Sequence, residues 1–515
     1  MNTTPRRLLA GVFALTTLLG TAACGSENEG GQAAPDGLNL MVKLFGTAPD
    51  PNGEMHKAVE KLAGKKLNIT WVPNADYPSK TNVTLASDKL PDLLVVNPKD
   101  AAFAKAAEAG AFWDLTDKIK KYPNLPQDPR ILANASTNGK NYGVYRIRPL
   151  LRSAILLRKD WLDKLDLKEP ETTDDLYEIA KAFTEKDPDG NGKKDTYGLI
   201  LPKWPAPTFS ASSPYNAIDV WFGAPNGHAV RDGKLVPEFD APEFWEAQKY
   251  IKRFIDEGLT NPDWATLDTV KWNDPFVQGK GGIIIDVNVR ADELFQLFKQ
   301  ADTSDYQTKV AMAGNLKRPD GQKFSLPFTG YNDVVAISKQ TVRTEAQLDE
   351  VLAMMDKLAS KEGATLLNNG IEGKNFKVDG EYAVKINDQD PAVQTINNDV
   401  EKAFIQLGTS ASVGFSSDKA YAWKRATPEE QAIEEEKKTL SELDLQTAQH
   451  DPTLPYISKT AVDKGATLNP IPTDARIKFL AGELTEEQFK AEIKRWYDSG
   501  GTQIMAELLE LINKG

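Results

Sequence analysis

The most specific chemistry in the chain sits in one short run, Asp187-Pro-Asp-Gly-Asn-Gly-Lys-Lys-Asp195. Counted from Asp187, oxygen-bearing side chains fall at loop positions 1, 3, 5 and 9 (Asp187, Asp189, Asn191, Asp195). Gly192 stands at position 6, and the Lys193 carbonyl is available at position 7. A hard cation needs several oxygens converging from a short span, and the glycine permits the sharp turn, so this is the ligand spacing of a calcium loop. Position 12, where an EF-hand places a bidentate Glu, is Gly198, so the site requires a further ligand such as Thr196 or water. The same residues also form ordinary turns. The calcium reading is preferred, with a structural role for the Ca2+: it pins a loop that follows a helix.

Catalytic constellations do not assemble elsewhere. The chain has no G-x-S-x-G elbow and no H-E-x-x-H pair, and Gly279-Lys-Gly-Gly282 lacks the spacing and the Lys-Ser/Thr end of a phosphate loop. The three histidines, His56, His228 and His450, are far apart. A glycosidase needs two carboxylates at a set separation in space, and 74 acidic residues nominate no pair. No catalytic residue is therefore assigned. What recurs instead is an aromatic beside a turn signal, as at Tyr142 and Tyr145, Trp204-Pro205, Trp221-Phe-Gly223, Trp272-Asn-Asp274, Tyr331-Asn-Asp333 and Tyr421-Ala-Trp423. Sugars present apolar C–H faces ringed by hydroxyls, and flat aromatics flanked by polar groups match that surface. Aromatics also dominate cores, and Trp71, Trp113, Trp161, Trp245 and Trp496, which lie in helical or strand patterns, are assigned there. Arg146, Arg148, Arg152 and Arg290 could form a local basic site.

The single cysteine, Cys24, follows Arg6-Arg7, 16 uncharged residues from Leu8 to Ala23, and the small residues Thr21-Ala22-Ala23. The apolar stretch suits a secretory signal better than a membrane span, and Thr21-Ala-Ala-Cys24 resembles the lipobox of bacterial lipoproteins. That resemblance implies cleavage after residue 23, diacylation of Cys24 and anchoring to the outer face of the cell membrane. Residues 24–37 read as a flexible tether. One cysteine excludes an intrachain disulfide and a cysteine-based zinc site. The formal charge of −12 over 515 residues argues against general nucleic-acid binding, and 40% hydrophobic residues exclude wholesale disorder.

Strand candidates at 38–45, 68–72, 92–96, around 153–157, 282–286 and 334–338 alternate with helix candidates at 55–67, 101–109, 172–183, 241–256 and 344–360. Strands separated by helices predict an α/β fold with largely parallel sheet. Helices from Thr427, from Thr485 and from Gly501 close the chain.

Several segments together resemble the bacterial extracellular solute-binding lipoproteins of carbohydrate ABC importers, in particular the large-oligosaccharide branch that includes alginate-binding proteins. They are Leu90-Pro-Asp-Leu-Leu-Val95, Gly139-Lys-Asn-Tyr-Gly143, Leu157-Arg-Lys-Asp-Trp-Leu-Asp-Lys-Leu165 with the Asp187 loop, Glu362-Gly363 and Asn369-Gly-Ile-Glu-Gly373. The resemblance implies a two-lobed, periplasmic-binding-protein-like (type II) fold with a hinge and a central cleft. It implies capture of an oligosaccharide by lobe closure and delivery to a permease, with no enzymatic activity. Some relatives bind calcium at the matching loop, which carries over to Asp187, Asp189, Asn191, Lys193 by its carbonyl, and Asp195. The expected lobes are 38–150 plus about 310–375, and 151–309 plus about 376–515. Ligand contacts are expected from Phe45, Asn97, Tyr142, Tyr145, Arg146, Trp204, Trp221, Trp272, Asp286, Asn288, Tyr331 and Trp423, at strand ends or beside the hinge. Expected partners are a carbohydrate, the permease subunits and the membrane through the lipid anchor, but no nucleic acid, with the chain a monomer. The alternatives are a surface-anchored glycoside hydrolase and a binding protein for another solute such as a peptide.

Overall fold

Short apolar runs bounded by turn residues become the strands of two separate sheets. A computed structural model describes residues 37–87, 89–204, 213–301, 304–408 and 419–514. Cys24, with the expected signal segment and most of the expected tether, lies outside the described residues. In chain order the strands begin with β1 (Leu38–Leu44), β2 (Leu67–Pro73), β3 (Leu93–Val96) and β4 (Gly143–Ile147). Next come β5 (Ser153–Arg158), β6 (Tyr197–Leu199), the hairpin β7 (His228–Arg231) and β8 (Lys234–Pro237), β9 (Gly281–Val287) and β10 (Val310–Ala313). Then follow β11 (Tyr331–Ile337), β12 (Phe376–Asp379), β13 (Tyr382–Lys385) and β14 (Ala422–Trp423).

The first lobe is built on the sheet β2-β1-β3-β11-β4. Strand β1 pairs in parallel with β2 and β3, and β11 runs antiparallel between β3 and β4. All four residues of β3 are buried, as expected of a strand covered on both faces. The second lobe is built on β10-β5-β9-β6. Its strands are apolar on both faces: Ile155, Leu157, Ile283 and Ile285 join one core, and Ala154, Leu156, Ile284 and Met312 the other. Strictly alternating positions thus pack two helical layers.

The chain crosses between the lobes through 148–152, through 314–330, and again between β14 and the helix Pro428–Leu445, which packs on the second lobe through Ile433. Two expected boundaries need correction. Residues 310–313 pair with β5 in the second lobe rather than the first. Residues 376–407 pack on the first lobe rather than the second, since Phe404 meets the rings of His56 and Trp71 edge-on at 6.1 and 5.6 Å. Ile396 and Val400 share that core. The C-terminal helices between Lys459 and Lys514 do cover the second lobe, through Leu468, Phe479, Phe489 and Trp496. Among the described residues, no helix is long and apolar enough to cross a membrane.

Candidate functional site

Open α/β sheets leave a crevice at the carboxyl ends of their parallel strands. Here Phe45 follows β1 and is 50% exposed, and Asn97 follows β3, where its Oδ1 accepts the Lys99 N–H at 2.9 Å. Asn288 follows β9. Between the lobes lie two adjoining cavities of about 830 and 710 Å3 that share Val289, Tyr382, Ala422, Gln431 and Glu434. Asn288 lines the larger, and Arg148, Arg152, Asn368, Asn369, Tyr421 and Trp423 line the smaller. Strand β14 presents Trp423, whose ring meets Phe376 edge-on at 6.1 Å with the Lys385 ammonium 5.5 Å over its face. Asn369 donates to the Tyr421 carbonyl at 3.0 Å, which ties the helix Lys361–Asn369 to the segment entering β14.

Phe45 and Asn97 line neither cavity, and the remaining expected contacts also lie outside their linings. Tyr145 and Arg146 are interior to β4. The Tyr145 hydroxyl accepts the Asp128 N–H at 3.0 Å, and the wholly buried Arg146 donates to Gln406 Oε1 at 2.8 Å and to the Gly408 carbonyl. Trp221 and Trp272 are core residues, 1% and 0% exposed, with indole N–H groups donated to Asn315 Oδ1 at 2.7 Å and to the Ile200 carbonyl at 3.0 Å. Turn signals beside an aromatic do not distinguish a ligand platform from a core ring. Trp204 is half-buried, edge-on to Trp272 at 5.8 Å. Tyr142 is buried just before β4, and burial raises the pKa of its hydroxyl, with Asp114 and Glu108 adding to the shift. Burial also pushes the Asp286 carboxyl up, although Arg290 at 2.5 Å opposes it.

Tyr331 opens β11 where its register against β4 slips, and burial raises its hydroxyl. The slip sets Asp333 at φ 65°, buried between Lys43 Nζ at 2.7 Å and Arg146 Nη1 at 3.8 Å. Sequence reasoning missed Asp333 as an organiser of the first lobe's charges. It also missed Tyr382, Asn368, Asn369, Arg425, Gln431 and Glu434 in the cavities, because they are brought together from separate segments. Arg425 donates to Glu434 at 2.6 Å and approaches Asp292 at 3.4 Å, and Lys437 holds Asp292 at 2.9 Å. These two cavity carboxylates are therefore engaged with basic partners.

In the Asp187 loop the carboxylate of Asp187 accepts the backbone N–H groups of Gly190, Asn191 and Gly192 at 3.0–3.1 Å. The Asn191 amide bridges Asp189 at 2.6 Å and Asp195 at 3.0 Å, and Lys280 holds Asp195 at 2.7 Å. Hydrogen bonding to Lys280, then to Asn191, lowers the pKa of the Asp195 carboxyl. Among the described residues, no three His, Cys, Asp or Glu side chains are gathered to hold a metal. The donors are all oxygens, which suits a hard cation. Their convergence requires the Asn191 amide to turn and Lys280 to release Asp195.

Comparison with known proteins accords with this geometry. Residues 48–365 match the family described as Bacterial extracellular solute-binding protein. The chain is 37% identical over 501 residues to Lipoprotein LipO of Bacillus subtilis (strain 168), covering 95% of each. It is 34% identical over 498 residues to the polygalacturonan/rhamnogalacturonan-binding protein YtcQ of the same organism, covering 96% of this chain and 95% of the relative. Its fold is that of an extracellular solute-binding protein from Bifidobacterium longum subsp. infantis, with a TM-score of 0.70 at 19% identity, covering 92% and 97% of the two chains. The chain belongs to the bacterial extracellular solute-binding protein family.

Proposed function

We propose that this protein is the capture component of an ABC importer for an oligosaccharide. The observation that carries the reading is the smaller interlobe cavity, where Trp423, Tyr421 and Tyr382 stand with the amides of Asn368, Asn369 and Gln431. Flat rings accept the C–H face of a sugar, and amides both donate to and accept from its hydroxyls. The name of YtcQ as a polysaccharide-binding protein supports the same class of ligand. A ligand touching both lobes binds the closed arrangement better than the open one, and so shifts the population toward closure. Capture without turnover fits a cavity whose Asp292 and Glu434 are tied to Arg425 and Lys437.

Cys24 carries the lipid anchor in this reading, which the name of Lipoprotein LipO supports. Two acyl chains hold a protein stably where one does not. Asp187, Asp189, Asn191, the Lys193 carbonyl and Asp195 would hold Ca2+, which would brace the loop between the helix Thr173–Glu185 and β6.

A thermal-shift screen of the purified protein against mono- and oligosaccharides and peptides tests the reading, because a ligand of the folded state raises Tm with concentration. The expected result is a dose-dependent rise with one oligosaccharide class and no hydrolysis of it. A rise with peptides alone, or steady turnover of the sugar, overturns it. The calcium assignment predicts a lower Tm in chelator, restored by Ca2+. Indifference to both removes it.

A further inference from the structure

We propose that the interlobe cavity contains an anion-recognition site in which Arg148 and Arg152 hold an oxyanion carried on a sugar ring, so that the saccharide taken by this protein is acidic. The inference rests on the reading of the cavity as a saccharide site and narrows it.

Charge accounting in the smaller cavity is the first ground. Each of its acids has a basic partner: Asp292 pairs with Lys437 at 2.9 Å, Glu434 with Arg425 at 2.6 Å, Glu401 with Lys385 at 3.3 Å and Glu293 with Arg290 at 3.8 Å. Arg148 and Arg152 line the same cavity, and the Nε of each is buried without a hydrogen-bond partner among the described residues. The carboxylates that act on them from a distance are Asp333 for Arg148 and Asp286 for Arg152. Both are already engaged, Asp333 by Lys43 at 2.7 Å and Asp286 by Arg290 at 2.5 Å, the same guanidinium that Glu293 approaches at 3.8 Å. Burial lowers the pKa of both guanidiniums, that of Arg152 to about 10, and Arg148 adds to the effect on Arg152. Two desolvated cations side by side are costly unless a counter-charge arrives.

Their mounting is the second ground. Both arginines lie on the first crossing between the lobes, where the Arg148 N–H donates to the Gly330 carbonyl at 2.9 Å and the Arg152 carbonyl accepts the Asn288 N–H at 2.7 Å. The Arg152 guanidinium lies 4.3 Å over the Phe328 ring, which fixes the plane of its fork. A planar guanidinium matches a carboxylate or a sulfate ester with two parallel hydrogen bonds. The neutral hydroxyls of an ordinary sugar cannot supply the missing charge. A uronic acid or a sulfated sugar can, and the oxyanion chemistry is shared.

Calorimetric titration of the purified protein separates the cases. The probes are oligogalacturonate and oligomannuronate, the same chains with methyl-esterified carboxyls, a sulfated oligosaccharide and neutral malto- and fructo-oligosaccharides. The expected result is binding of a free acid that weakens about 10- to 100-fold on esterification, and by a similar factor in Arg148→Gln or Arg152→Gln, the range of a charge-assisted hydrogen bond. Affinity should also fall with salt, while both variants keep the wild-type circular dichroism and a Tm at least as high. Preference for the sulfated chain keeps the anion site and assigns sulfate as its source. Equal binding of acid and ester, binding of neutral chains alone, or unchanged affinity in both variants overturns the inference and leaves the saccharide reading standing. Binding of no saccharide overturns that reading as well. If a glutamine variant fails to fold, the ester and salt comparisons on the wild-type protein still discriminate.

Discussion

Trp221 and Trp423 both stand beside turn residues in the sequence, and burial separates their roles. Trp221 is 1% exposed and its indole N–H occupies Asn315 Oδ1, which also accepts the Leu326 N–H at 3.3 Å. Trp221→Ala opens a cavity and removes a buried donor, so it should cost about 3–5 kcal/mol of stability. Ligand affinity of the protein that remains folded should hardly change. Trp423→Ala should do the reverse, weakening oligosaccharide binding by roughly 10-fold with little effect on stability, as expected of a half-buried ring on a cavity wall. Urea denaturation beside calorimetry reads both effects, and a matching stability loss in the two variants would count against the distinction. The same scale governs the Asp187 loop. Lys280 occupies the Asp195 carboxylate that the calcium reading needs. Lys280→Met removes a competing cation and should tighten Ca2+ binding several-fold, as read by titration with a calcium indicator. Weaker or unchanged binding would mean that Asp195 is no ligand.

At the scale of elements, the helix Pro428–Leu445 offers a test by pH. Burial, with the nearby Glu169 charge adding to it, raises the Glu436 carboxyl from 4.5 to about 7. A carboxyl whose folded pKa is raised binds its proton better in the native state, so its contribution to stability is present below about pH 4.5 and is lost as pH rises through about 7. Asp399, raised to about 6 by burial and then by Asp50, acts in the same direction. Tm should therefore fall between pH 5 and 8, and Glu436→Gln should remove part of that slope. Parallel Tm profiles for the variant and wild type would refute the assignment. Elements of this kind were legible in the sequence because their signals are local. Thr172 with Asp175, Thr344 with Gln347 and Thr485 with Gln488 each form a reciprocal capping box at a helix start read from the sequence. Buried runs such as Leu93–Val96 and Gly281–Val287 likewise announce covered strands. Sheet membership was not legible, because the pairing of β10 with β5 and the seating of Phe404 on Trp71 join residues far apart in sequence. The cavity shares this difficulty. Its walls come from 148–152, 288–296, 368–385 and 421–445, and core and sugar sites draw on the same aromatic residues. The paired arginines at 148 and 152 were visible as a basic cluster, but only the structure reveals that the Nε of each is buried with no hydrogen-bond partner among the described residues.

For the molecule as a whole, the three crossings between the lobes among the described residues limit the motion that closure can use. The second crossing is stiffened by the C-terminal segment, since Ser325 exchanges backbone hydrogen bonds with Thr447 and Gln449 at 3.0 Å and Asn315 is held by Asp444. The helix Pro428–Leu445 is tied to the first crossing by Ser441, whose hydroxyl donates to the Leu151 carbonyl at 2.7 Å. Parallel connections that are cross-bonded in this way resist sliding, which leaves bending about their common line as the soft motion. Gly330 stands at the end of the second crossing with φ +83°, accepts the Arg148 N–H, and has Ile131 Cγ1 2.7 Å from where a Cβ would be. Only glycine fits there without strain. Gly330→Ala therefore drives a methyl against Ile131 of the first lobe and against Leu150 Cδ2, 2.9 Å away on the first crossing, at a joint that both crossings share. It should lower Tm and weaken oligosaccharide binding although residue 330 lines neither interlobe cavity. Solution X-ray scattering supplies the readout. Saturating oligosaccharide should reduce the radius of gyration of the wild-type protein, and the contraction should be smaller in Gly330→Ala at matched occupancy. An unchanged radius in saturated wild-type protein would show that capture proceeds without bending, and the hinge would then have no part in retaining the ligand.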